Sequence, residues 1–180
     1  MRKHCMVDLE TFGTLPGSAI VSIGAVVFTQ DKIWERWHQT VDIQSNLDAG
    51  LEVDGKTLEF WLRDTTDTAR QSLFEKTLEL RWALGAFNCF WVNAGCNWLW
   101  AHGTTFDIPM LDKAYAATGY TERPWHFRNV RDTRTLFSLL PLSYIAPLRI
   151  TEKHDALKDA EYQALAVQSA YQTLGLEMEA

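Results

Sequence analysis

Along the first ten residues Cys5, Val7 and Leu9 alternate with Met6, Asp8 and Glu10, and the run closes at Thr11-Phe12-Gly13. A period of two predicts a β-strand over residues 4–10 whose alternate side chains point to opposite faces. "SAIVSIGAVVF" (18–28) is almost continuously apolar and β-branched, which predicts a strand covered on both faces. "KIWERWHQTV" (32–41) alternates less cleanly after the turn at Gln30-Asp31. With such short connections, the three strands predict an antiparallel meander.

A helical period then takes over. Residues 54–64 read as a helix with a Thr57 start, and 65–91 carries apolar residues at helical intervals throughout. "NWLWAHG" (97–103) is short, apolar and closed by glycine, so it reads as a buried strand. Residues 106–119 follow as a helix with Pro109 in its first turn and Gly119 as its stop. "RNVRDTRTLFSLLP" (128–141) predicts a short strand leading into a helix that ends before Pro141, and 141–153 a connecting loop. Leu157, Ala160, Ala164, Val167, Tyr171 and Leu174 form one apolar helical stripe that stops at Gly175. Strands first, then helices alternating with strands, indicate an α/β or α+β sheet covered by helices.

Length narrows this to a single domain over residues 1–180. No apolar run approaches the length of a membrane span, and Asp8 and Glu10 break any signal-peptide core behind Met1-Arg2-Lys3-His4. Cys5, Cys89 and Cys96 form no C-x-x-C pair and cannot all pair among themselves, so reduced thiols in a cytoplasmic setting are expected. A net charge of −6 excludes a protein that grips nucleic acid by bulk basicity. It leaves room for a nuclease that meets phosphate through bound cations. The eight tryptophans are expected mainly in core and interface packing.

The carboxylates change the picture. Asp8 and Glu10 project from one face of a strand, about 7 Å apart along it. Like charges that close must find cations, or one must hold a proton. Oxygen ligands on a rigid strand suit Mg²⁺ or Mn²⁺, although a polar edge strand would look the same. A second D-x-E triplet, Asp159 and Glu161, lies on the last helix, where a two-residue step turns the side chains about 200° apart. Asp107 opens a helix after the 97–102 strand and can project over the end of the sheet; taken alone it reads better as a helix cap. His154 precedes Asp159 by five residues, and in the loop before the helix it can face the same way as that aspartate.

Together, Asp8-x-Glu10, Phe106-Asp107 after a short apolar strand, and His154-x₄-Asp159 opening the last helix resemble the motifs of the DEDDh exonucleases of the RNase H-like superfamily. Finer features, "SAIVSIGAVVF", "NVRDTRTL" and "KHDALKDAEYQA", look like the phage exonuclease VIII-type and RNase T-like branches. One departure stands out: many relatives carry His-Asn before the second motif, whereas this chain has His102-Gly103.

The resemblance implies an α/β fold with a mixed sheet, an antiparallel meander plus parallel strands, flanked by helices. It implies two Mg²⁺ or Mn²⁺ ions held by Asp8, Glu10, Asp107 and Asp159, and His154 as the base that takes a proton from water. The implied reaction is 3′→5′ release of nucleoside 5′-monophosphates from single-stranded DNA or RNA. Thr11, Phe12, His102 and Phe106 are the candidate substrate contacts, with Phe12 able to stack on a base or else to pack in the core. A homodimer through the aromatic stretch 82–100 is the expected protein partner. A nucleic-acid-binding module that has kept the fold and lost the chemistry is the alternative, and five filled catalytic positions speak against it.

Overall fold

The three expected strands form as β1 (Lys3–Thr11), β2 (Ile20–Phe28) and β3 (Ile33–Thr40), paired antiparallel in a meander. In the computed structural model, which describes residues 2–141 and 154–178, they make three strands of a five-stranded sheet. The expected strands near 97 and 128 are β4 (Cys96–Ala101) and β5 (Val130–Asp132). Both run parallel to β1, and the sheet order is β3-β2-β1-β4-β5. The fold is therefore the expected mixed sheet flanked by helices.

Short helices follow the meander: α1 (Ile43–Asp48), α2 (Gly55–Asp64) and α3 (Asp67–Ser72). Then come α4 (Leu80–Ala94), α5 (Thr104–Ala117), α6 (Thr133–Phe137) and α7 (Ala156–Leu174). Each face of the sheet buries one set of alternating strand residues. Cys5, Val7 and Leu9 pack with Leu84 and Phe87 of α4 and Leu111 of α5. On the other face Met6, Val26, Trp98 and Trp100 meet Ala160, Ala164 and Val167, the stripe of α7. Asp8 and Glu10 continue the Met6 side toward the C-terminal end of β1, so both carboxylates emerge beneath the start of α7. Among the described residues no helix is long and apolar enough to cross a membrane.

Three expected elements differ. The helix over 54–64 is capped by Asp54 rather than started by Thr57: its carboxylate accepts from the Thr57 amide at 2.8 Å and the Thr57 hydroxyl at 2.9 Å. The helix expected over 65–91 is broken between α3 and α4. There Leu78 donates to the Thr40 carbonyl and accepts from the Asp42 amide, so the chain crosses the end of β3 with its backbone paired to it. α5 begins two residues early, which moves Pro109 from its first turn to its second; the Asp132 carboxylate fixes that start by accepting from the Thr104 amide at 2.7 Å. The loop expected over 141–153 falls, apart from Pro141, outside the described residues.

Gly24 sets how closely α7 approaches the carboxylates. It pairs with Asp8 across β1–β2, and a Cβ there would lie 2.2 Å from the Ala156 carbonyl carbon and oxygen. Gly24→Ala is expected to lift the first turn of α7 and destabilise the protein by about 1–3 kcal/mol or more, read as a lower urea midpoint. Gly55→Ala at the start of α2 is the control, since nothing lies within 4 Å of its added Cβ. That change is expected to be neutral or mildly stabilising.

Candidate active site

β1 and β4 deliver the site together at the shared C-terminal end of the parallel strands, a common place for ligands in α/β sheets. The β1–β2 ladder shifts register between Glu10 and Thr11, just where the second carboxylate leaves the strand. One turn into α7, Asp159 meets the pair from above. Asp8, Glu10 and Asp159 each offer an oxygen within 4.8 Å of the others. Asp107 is outside this triplet but beside it: it is 3% exposed, and its negative charge acts on both Asp8 and Glu10.

Burial and mutual repulsion raise the proton affinity of this cluster. Burial first, then the charges of Asp107, Glu10 and Asp159, push Asp8 well above the ordinary carboxylate range, against a hydrogen bond from Gln163. Burial and the nearby Asp159, Asp155 and Asp107 push Glu10 up to about 8. Burial raises Asp107 to about 7, moderated by its own amide, the Leu9 amide and the Arg134 guanidinium. Burial likewise raises Asp159, moderated by the His154 amide, which donates to Asp159 Oδ2 at 3.3 Å. Oxygen-only ligands that repel one another and sit on a strand and a helix fit a hard divalent cation.

A pH dependence follows for the metal-free protein. The unfolded chain releases the Glu10 and Asp107 protons near their ordinary values of 4.5 and 3.8, whereas the folded chain keeps them to about 8 and about 7. The folded state binds more protons in that window, so stability is highest below it and falls as pH rises through it. A cation that binds the ionised cluster opposes the fall. Calorimetry in EDTA should show Tm dropping from about pH 6 to about pH 8.5, with the Mg²⁺-induced rise larger at the upper pH. A Tm indifferent to Mg²⁺ at both would contradict the site.

The other sequence candidates fall into place unevenly. His154 lies just ahead of α7 with φ +72, and its ring packs edge-on against Phe60 at 5.2 Å and Trp61 at 5.6 Å between centroids. Thr11 is buried, with its hydroxyl on the Gly13 carbonyl and its own carbonyl accepting from Trp61 Nε1. Phe12 is only 4% exposed and packs in the core with Ala19, Val21 and Trp61, so the stacking expected of it has no open ring face. Phe60 and Phe106, both half-buried, offer such faces instead, on a cavity of about 500 Å³ that also includes Glu10, Thr11 and Trp61. His102 is tied to Thr133 Oγ1 at 2.7 Å, and burial and the Arg134 charge lower its pKa.

Asp107 is not the cap of α5: Gly103 holds that position, and the side-chain acceptor for the first turn comes from Asp132. Its Oδ2 accepts from Thr104 while its Oδ1 accepts from the Arg134 amide at the start of α6. Of the aromatic stretch 82–100, Phe87, Trp91, Trp98 and Trp100 are buried in this chain's own core, and Trp82 stands out 64% exposed. Sequence reasoning passed over Gln163, whose Nε2 donates to Asp8 Oδ1 at 2.8 Å. Its signal was available: it lies four residues after Asp159 and hence on the same helix face.

Comparison with known proteins bears on the whole of this arrangement. Residues 3–171 match the family described as the 3'-5' exoribonuclease Rv2179c-like domain. No curated protein sequence matches significantly. Among solved structures, exonuclease X in complex with 5′ overhanging duplex DNA superposes with a TM-score of 0.63 at 17% identity, over 96% of this chain and 93% of that one. Product-bound exonuclease I superposes with a TM-score of 0.60 at 12% identity, over 97% of this chain and 43% of that one. At such identities the likeness is one of fold.

Proposed function

Since the chain belongs to the 3'-5' exoribonuclease Rv2179c-like family, we propose that it removes nucleoside 5′-monophosphates one at a time from the 3′ end of single-stranded nucleic acid, with RNA as its first substrate. The meeting of Asp8, Glu10 and Asp159 within 4.8 Å, beside buried Asp107, is the observation that carries this reading.

When bound, a pair of Mg²⁺ or Mn²⁺ ions supplies Lewis acidity toward the phosphodiester and offsets the four carboxylate charges. Asp8, Glu10, Asp107 and Asp159 are the residues that hold them. Gln163 fixes the orientation of Asp8 through its side-chain amide. The cavity flanked by Phe60, Phe106 and Thr11 receives the terminal nucleoside, and stacking on such rings contributes about 1–3 kcal/mol per base. His154 takes the proton from the attacking water. The leaving oxygen stays on the shortened strand as its new 3′-hydroxyl.

The experiment is direct. Single-stranded RNA and DNA, labelled at either end, are incubated with the protein in Mg²⁺, Mn²⁺ or EDTA. Stepwise loss from the 3′ end only with metal, faster on RNA, is expected. Binding without cleavage would overturn the enzymatic reading, and faster loss from DNA would overturn the assignment of RNA.

A further inference from the structure

Arg134 is a cation at an acidic site, and among the described residues its guanidinium has no hydrogen bond or ion pair. It is exposed at the start of α6, with its guanidinium directly over the Gly103 backbone. A Cβ on Gly103 would lie 2.9 Å from Arg134 Cζ and Nη1, so any other residue there would push the guanidinium aside. Gly103 also has φ +93, a conformation that L side chains rarely adopt. The obvious counter-ion is occupied: Asp132 accepts from Thr104 with one oxygen and from the Arg134 and Thr135 amides with the other. Its positive charge reaches Asp107 and His102.

The sheet gives the direction. β1 carries Asp8 and Glu10, while Arg134 follows β5, two strands away and about 10 Å across the same end of the sheet. Phe60 and Trp61 of the nucleoside cavity belong to α2, and Trp61 is bonded to the end of β1. Arg134 does not line that cavity. For a strand with its terminal nucleoside in the cavity and its scissile phosphate over the carboxylates, a path toward β4 and β5 would bring the next phosphate to Arg134.

Resting on the exonuclease reading, we propose that Arg134, seated over Gly103, binds the phosphate immediately 5′ of the scissile linkage. A guanidinium presents paired donors that match phosphate oxygens, and Arg134 would have no salt bridge among the described residues to break first. It gives an acidic protein one cationic contact at the point where the substrate leaves the metal-binding residues.

The test crosses a protein change with a substrate change. Two trinucleotides differ only in the linkage 5′ of the scissile one, phosphodiester in the first and neutral methylphosphonate in the second. On the phosphodiester, Arg134→Gln should lose about 10- to 100-fold in kcat/KM, mainly through KM. On the methylphosphonate, wild type and variant should agree within about twofold, the coupling a double-mutant cycle isolates. Arg134→Lys should keep part of the preference. Equal losses on both substrates, or none on either, would overturn the assignment. A wild-type protein that cleaves neither would sink the exonuclease reading instead. The same comparison, read as oligonucleotide affinity by fluorescence anisotropy, then decides Arg134 on its own.

Discussion

Asp8→Ala is expected to abolish metal-dependent hydrolysis, by about 10³-fold or more, while the protein still folds. Losing a partner that merely supports a metal ligand typically reduces activity or affinity 10- to 100-fold, and Asp8 is proposed as a ligand itself. Its oxygen belongs to the triplet with Glu10 and Asp159, and its charge is held among theirs. The same crowding separates activity from stability. Asp8→Asn keeps an acceptor for Gln163 Nε2 but removes the cost of burying an ionisable carboxyl among other carboxylates, so its Tm in EDTA at about pH 8 should exceed that of wild type. Substantial turnover by Asp8→Ala would contradict the assignment of the site.

His154→Ala should leave cation affinity unchanged by calorimetry and lower kcat by about 10²- to 10⁴-fold, the usual range for general-base help. The contact His154 makes to Asp159 comes from its backbone amide, which alanine keeps. Its imidazole lies on the edges of Phe60 and Trp61, at the border between the carboxylates and the nucleoside cavity. From there it must turn toward the bound phosphate as the substrate seats, and catalytic contacts often tighten only in such a complex. Weakened cation affinity would make His154 a ligand, and an unchanged kcat would leave it a packing residue.

What could be read from sequence was governed by period. The alternation around Asp8 and Glu10 put both on one strand face, and the stripe from Leu157 to Leu174 placed Asp159 at the start of a sheet-covering helix. Those local rules hold because strand pleat and helix pitch act over a few residues. They gave no warning that the helical pattern over 65–91 would break, because the break satisfies backbone groups of β3 that are distant in the chain. Phe12 was undecided for a similar reason. Whether a ring after a strand stacks on a ligand or packs inward depends on Trp61, about fifty residues away. Gly24 looked ordinary in the sequence, and Gly103 stood out only as a departure from the His-Asn of relatives. Their meaning is the approach of Ala156 to one and Arg134 to the other, which only the folded chain reveals.

Four acidic side chains are proposed to hold divalent cations at the C-terminal end of β1. Anomalous diffraction from crystals soaked in Mn²⁺ measures this most directly. Density bounded by the carboxylates of Asp8, Glu10, Asp107 and Asp159 is the expected result. A manganese peak elsewhere, with none among these four, would contradict it.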